Sequence, residues 1–301
     1  MDVILLGLNI LIIGGDRREV ELYFHLKGIG ANVYLYGFEN YPFLEGVTLT
    51  DNLVESIKIS QVIVIPLTGI EENGEVYAPF SANKIFFNEK KVLNAINPQT
   101  LVIAGYICPT LKVMLLQNNV RVCETRDMDE VSIPNAIPTA EGAIQEAMAN
   151  TDFTIYNSSS FVLGFGRCGA ILAKTLKAMA ADVTVAVRRK EVLAWIEAFG
   201  MNPLPLSRLK EEIYKADIIF NTIPVIVLNA EVLYRANKST LIIDIATHPG
   251  GVDFAVAERL KIKAISLPGL PGKVAPSTAA QILCKVYPDL IVSYLKRGEK
   301  Y

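Results

Sequence analysis

Gly164, Gly166 and Gly169 stand as Gly-x-Gly-x-x-Gly, directly after the apolar run 160–163 and directly before the helix-forming stretch 170–180. That spacing is the chemistry of a dinucleotide turn. The first glycine permits a tight bend, the second lets backbone approach a pyrophosphate, and the third lets helix and strand pack closely. The N–H groups at the helix start, those of Arg167 and Cys168 among them, would face the phosphates with the positive end of the helix dipole. A second strand, 183–187, ends in Arg188-Arg189-Lys190 rather than in Asp or Glu. An acidic residue there holds a ribose 2′-hydroxyl, whereas arginine can bind a 2′-phosphate in two-point fashion. The expected cofactor is therefore NADP(H), with NAD as the alternative. Asn221-Thr222-Ile223-Pro224 follows a further strand, and Asn221, Thr222 and Pro224 are candidates for the nicotinamide-ribose side.

Two late loops carry the remaining polar candidates. The run 244–251 contains Asp244, Ala246 and His248, and the run 267–276 contains Leu270, Pro271 and Lys273 between prolines and glycines. Ala246, Leu270 and Pro271 are read as cofactor contacts. Lys273, His248 and Asp244 are the catalytic candidates: Lys273 as a cation for a substrate carboxylate, His248 as an acid/base, and Asp244 as a strand-end carboxylate. The other histidine, His25, reads as a helix-face residue.

Near the N-terminus, Gly14-Gly15-Asp16-Arg17-Arg18 lies at another strand-to-helix turn but lacks a third glycine, so a second dinucleotide site is not expected. Basic residues at a helix start oppose the helix dipole, which suits an anionic ligand. Asp16, Arg17, Arg18 and Thr68 are the substrate-binding candidates, with Gly69 and Asn73 as weaker ones in the long stretch 66–87.

These residues need rigid elements to hold them. The chain of 301 residues is 51% hydrophobic and 20% charged, enough for two cores built on buried sheets. Strands are expected at 9–13, 33–36, 62–65, 100–104 and 120–123, then at 160–163, 183–187, 218–221, 241–245 and 264–266, alternating with helices. The fold class is α/β with two parallel-sheet domains. An N-terminal flavodoxin-like or Rossmann-like domain is expected over 1–137 and a Rossmann NADP-binding domain over 153–277. Pro134 and Pro138 mark a linker, Thr139 caps a bridging helix over 138–152, and a last helix over 278–301 returns toward the first domain. A formal net charge of −2 gives a polyanion no footing, so nucleic acid is not an expected partner. Cys108, Cys123, Cys168 and Cys284 are scattered, which argues against a metal site and fits a reducing cytoplasm. The apolar run 3–13 reads as a buried strand rather than a secretion signal, and no run reaches membrane-spanning length.

The opening Ile12-Ile13-Gly14-Gly15-Asp16-Arg17-Arg18, the bridge 137–142, the glycine turn, Asn221-Thr222-Ile223-Pro224 and the run 268–276 together resemble the dipicolinate synthase A-subunit family. The resemblance runs nearly end to end. It implies NADP-linked oxidation of dihydrodipicolinate, or its hydrated precursor, to dipicolinate during endospore formation, in the mother-cell cytoplasm. It also implies a second, flavoprotein-like subunit of the synthase as partner, and a dianionic substrate held by cations such as Arg17, Arg18 and Lys273. A homo-oligomer is expected. Two rivals share the layout. One is a D-2-hydroxyacid or shikimate dehydrogenase-like enzyme; the hydroxyacid chemistry needs a late catalytic histidine, and none follows His248. The other is a non-catalytic NADP(H)-binding protein that serves as a structural or regulatory component.

Overall fold

In the computed structural model, which describes residues 5–43 and 45–297, the apolar runs become two parallel sheets, each in its own compact unit. The units are residues 1–134 with 275–301, and residues 135–274. Residues 3 and 4 of the opening apolar run, and 298–301 of the expected last helix, lie outside the described residues.

The first unit holds β1 (Asn9–Ile13), α1 (Arg17–Gly28), β2 (Asn32–Tyr36), α2 (Leu53–Ile59) and β3 (Val62–Val64). It continues with β4 (Glu75–Val76), β5 (Ile85–Phe86), α3 (Lys90–Leu93), β6 (Leu101–Ala104), α4 (Pro109–Gln117) and β7 (Arg121–Glu124). Its parallel sheet runs β2-β1-β3-β6-β7, the flavodoxin-like order. Every residue of β3 and β6 is buried, as a sheet covered on both faces requires. The long stretch after β3 is not a bare loop. It carries the antiparallel pair β4–β5.

The division between the units falls inside α5 (Asp129–Ala149). This corrects the expected linker: the chain passes through Pro134 and Pro138 as helix. The reason is burial. Val131, Ala136, Ala140, Ala143, Ile144 and Ala147 are buried at helical spacing, and that continuous stripe outweighs the hydrogen bonds the two prolines remove. Thr139 is no N-cap. Its hydroxyl donates to the Asn135 carbonyl one turn back, 2.7 Å away.

The second unit contains β8 (Ser159–Leu163), α6 (Arg167–Ala178), β9 (Asp182–Val187), α7 (Lys190–Ala198), β10 (Asn202–Pro205), α8 (Leu209–Glu212) and β11 (Ile218–Asn221). Then come α9 (Ala230–Leu233), β12 (Leu241–Asp244), α10 (Phe254–Leu260), β13 (Lys263–Ser266) and α11 (Leu270–Val274). The sheet order β10-β9-β8-β11-β12-β13 is that of a dinucleotide-binding Rossmann fold. The last helix, α12 (Pro276–Arg297), belongs to the first unit. Its Leu283, Tyr287 and Ile291 are buried in one core with Leu22, Tyr23 and Leu26 of α1. Among the described residues, no helix is long and apolar enough to cross a membrane.

Candidate functional sites at the two sheet edges

In the second unit the strand order reverses between β8 and β11, and the carboxyl ends of these two strands carry the glycine turn and residues 222–224. Gly164 has φ +98, and a Cβ there would strike the Thr222 hydroxyl. Gly169 sits so close to the Gly164 carbonyl that no side chain fits. Gly166 is different. It is the N-cap of α6, no side chain caps that first turn, and a Cβ there would meet nothing within 4 Å. Two glycines are thus fixed by internal packing, while the middle one borders open space at a helix N-terminus. That is the cradle a pyrophosphate needs. Cys168, partly buried in the first turn, has its thiol pushed up by burial, so it is not a ready nucleophile.

At the end of β9, Arg188 is exposed, and Arg189 faces only Glu191 at 3.8 Å with both side chains largely in solvent. Both are free to meet a phosphate at the open edge. The polar residues expected to touch the cofactor's ribose behave otherwise. Asn221 is fully buried. Its amide donates to the Ile223 carbonyl at 3.0 Å and to Asp244 at 2.8 Å, and its own carbonyl oxygen accepts from Ile223 N–H at 3.2 Å. The Thr222 hydroxyl donates to the Leu163 carbonyl at 2.8 Å and packs against two of the glycines. Both residues build the turn rather than offer groups to a ligand.

Asp244 is likewise a builder. It is 1% exposed and accepts from Asn221, from Ala246 N–H at 3.1 Å and from Gly251 N–H at 3.0 Å. Gly251 is forced to be glycine, because a Cβ would run into the Asn221 amide and the Ile223 carbonyl. The pair Asn221–Asp244 therefore ties the loop after β11 to the loop after β12, with the Asp244 carboxylate held by three N–H donors. His248 is exposed at the outer part of that loop. The expected rigid loop around Lys273 is in fact α11. Leu270 is 2% exposed and packs with Val274 over Gly142 of α5, where a Cβ would come within 3.0–3.1 Å of both side chains. Leu270 thus belongs to the core, while Pro271 is partly buried and Lys273 is exposed.

In the first unit the strand order reverses between β1 and β3. Here Asp16 caps α1, accepting from Arg18 N–H at 3.0 Å, while Glu19 accepts from Asp16 N–H at 2.7 Å. Arg18 is only 5% exposed and grips Asp16 with two hydrogen bonds of 2.9 Å. The expectation that Arg18 and Asp16 hold a substrate does not fit, because each already holds the other. Burial pushes the Glu19 carboxyl up to about 7, against the pull of Arg18. Arg17 is exposed and pairs with Glu21 at 2.9 Å. Gly14 is overlain by the hairpin: a Cβ would lie 2.8 Å from the Tyr77 carbonyl, which also accepts from Gly15 N–H at 2.7 Å.

A cavity of about 620 Å³ opens beside the hairpin, lined among others by Thr68, Gly69, Tyr77, Ser81, Asn83 and Lys84. Lys84 is paired with Glu75 at 3.0 Å. Gly69 and Gly105 let two loops touch backbone to backbone, with Ile70 N–H donating to the Tyr106 carbonyl at 2.8 Å. Arg126, just after β7, stacks on the Tyr106 ring at 4.8 Å and donates to the Thr68 carbonyl. Sequence reading missed Tyr77, Tyr106 and Arg126. The available signal for Arg126 was its place two residues beyond the strand β7, at the carboxyl edge where open α/β sheets bind ligands.

Residues 9–126 match the family model described as the N-terminal domain of the dipicolinate synthase A-subunit, and residues 146–271 match the one described as shikimate/quinate 5-dehydrogenase. The chain is 36% identical over 291 residues to the dipicolinate synthase A-subunit of Bacillus subtilis strain 168, covering 95% of this chain and 97% of that protein. The crystal structure of the Bacillus halodurans dipicolinate synthase A-subunit matches with TM-score 0.88 at 36% identity, over 95% of this chain and 98% of that one. A transhydrogenase from Sinorhizobium meliloti, 16% identical, shares the fold with TM-score 0.66 over 94% of both chains.

Proposed function

The chain belongs to the dipicolinate synthase A-subunit family, and from that premise we propose that it is an NADP-linked oxidoreductase that converts dihydrodipicolinate, or its hydrated precursor, to dipicolinate. The observation that carries this reading is the glycine turn of the second unit: open above Gly166, closed beneath Gly164 and Gly169, and followed one strand later by the exposed Arg188. Residues 164–169 would hold the pyrophosphate, and Arg188 with Arg189 the 2′-phosphate of NADP. Aromatising the dihydro ring removes a hydride and a proton, the hydrated precursor losing one water as well, and a nicotinamide dinucleotide bound at this turn would supply the hydride acceptor.

The chain's own residues divide the remaining work. Asp244 and Asn221 fix the two loops at the carboxyl edge. His248 and Lys273, exposed near that edge, are the groups in this region able to take a proton or hold a carboxylate. The dicarboxylate is assigned to the carboxyl edge of the first unit, around Thr68 and the hairpin cavity. A flavoprotein-like second component of the synthase, a homo-oligomeric state, a role in endospore formation and a mother-cell cytoplasmic location complete the reading.

One observation favours a second reading, a dinucleotide-binding component that leaves the oxidation to its partner. Asp244, the buried carboxylate of the second unit's loops, has both oxygens engaged in holding those loops together. Purified chain mixed with NADP⁺ and freshly generated dihydrodipicolinate separates the two through the rise of NADPH absorbance. Reduction by the chain alone is the expected outcome. Reduction only after the flavoprotein-like partner is added would establish the second reading instead.

A further inference from the structure

We propose that Arg126 is the carboxylate anchor of the first unit, and that it takes one carboxylate of a planar aromatic or dihydroaromatic dicarboxylate. The inference rests on the substrate reading above and deepens it.

The first unit has few cations suited to the task. Arg18 is buried against Asp16, Arg17 pairs with Glu21, and Lys84 pairs with Glu75. Arg126 is held differently. Its backbone N–H donates to the Gly105 carbonyl at 2.9 Å, its guanidinium lies over the Tyr106 ring, and one nitrogen donates to the Thr68 carbonyl. A guanidinium carries five N–H donors, and a single carbonyl does not exhaust them. The residue is partly buried and sits beyond the carboxyl end of β7. Thr68 and Gly69 line the hairpin cavity, and through the Thr68 carbonyl Arg126 is bound to a residue of that lining.

The support beneath Arg126 is rigid for a stated reason. A Cβ on Gly69 would collide with the Tyr106 backbone, and one on Gly105 with the Leu67 carbonyl. Ile70 and Tyr106, and Cys108 and Ile70, are joined by backbone hydrogen bonds of 2.8 and 2.9 Å. The loops after β3 and β6 thus form one platform, and Tyr106 is fixed on it. Stacking orients the guanidinium plane, and the fork of that plane matches the two-point geometry of a carboxylate. Orientation of this kind reduces the entropy lost when the anion binds.

The test titrates the full chain with pyridine-2,6-dicarboxylate by calorimetry, with a parallel NADPH titration and a thermal midpoint for every variant. Arg126→Gln is expected to weaken the dicarboxylate by about tenfold or more and to leave NADPH affinity unchanged. Arg126→Lys, which keeps the charge and loses the fork, is expected to fall between. Tyr106→Leu is expected to weaken binding less than Arg126→Gln. Wild-type affinity retained in Arg126→Gln overturns the anchor and leaves the substrate reading standing. Absence of dicarboxylate binding by the wild type overturns the substrate reading and the anchor with it. If Arg126→Gln does not fold, Arg126→Lys decides: weaker binding at an unchanged midpoint supports the anchor, and unchanged binding overturns it.

Discussion

The turn after β1 and the turn after β8 hold the same topological place, each leaving the strand beside which its sheet reverses order. They even share a register. Gly14 N–H donates to Tyr36 and Gly164 N–H to Ala186, each at 2.9 Å. Beyond that bond they diverge. In the first unit the helix is capped by Asp16, Glu19 stands where the third glycine of a dinucleotide turn would be, and the hairpin covers Gly14. In the second unit the cap is a bare glycine with open space above it. The same βα turn becomes a closed polar plug when its side chains satisfy the helix N–H groups, and a ligand cradle when they are withheld. Ligand capacity therefore follows from which side chains are missing as much as from which are present.

The strongest way to break the comparison is to add a side chain at each turn. The Cβ of Gly166→Ala meets no protein atom within 4 Å, so the fold should hold while NADPH affinity falls on the order of 100-fold, read by fluorescence titration. Gly15→Val, at φ +110 and against the Glu19 carboxylate, should instead lower the thermal midpoint and leave NADPH affinity alone. If both variants lost cofactor affinity equally, the two turns would not differ as described. Next in size is Asp244→Ala. It strands the Asn221 amide and the N–H groups of Ala246 and Gly251, a cost of roughly 3 kcal/mol in denaturant unfolding. An effect on turnover with stability untouched would return Asp244 to the catalytic candidates.

Glu19→Gln probes the plug from its pH dependence. The folded-state carboxyl is raised by burial from 4.5 to about 7, so folding favours its protonated form. Its stabilising contribution is complete below about 4.5 and is lost as pH rises through about 7. The midpoint of the wild type relative to Glu19→Gln should therefore decline across that window, by about 3 kcal/mol in stability at most. Parallel curves would show that Glu19 stays ionised against Arg18. The smallest effect is expected from Arg188→Ala, which should weaken NADP about tenfold and leave NAD unchanged. Equal loss for both nucleotides would remove the 2′-phosphate argument.

Much of this contrast was legible in the sequence. The bounds of β1 and α1, and the open glycine turn with its strands, follow from apolar runs and glycine spacing. What could not be read was side-chain engagement. Arg17 and Arg18 are neighbours of one type, yet one is exposed and the other is locked to Asp16 by the packing around it. Asn221 and Asp244 are 23 residues apart and only the β11–β12 pairing brings them together. Pro134 and Pro138 misled for the opposite reason, since a local breaker signal yielded to a long buried stripe. Arg126 escaped because its partners, Thr68 and Tyr106, come from two other strand ends.

The return of α12 has a consequence for how the chain is made. Residues 135–274 interrupt the first unit, whose helix α12 is synthesised only after the whole second unit. The face of α1 that α12 covers, with Leu22, Tyr23 and Leu26, lacks its partner until Leu283, Tyr287 and Ile291 have been synthesised. The second unit can close its core while the first is still incomplete. The unit translated first is thus the one completed last, and its unpaired α1 surface is where a nascent chain of this protein is most exposed to misassembly.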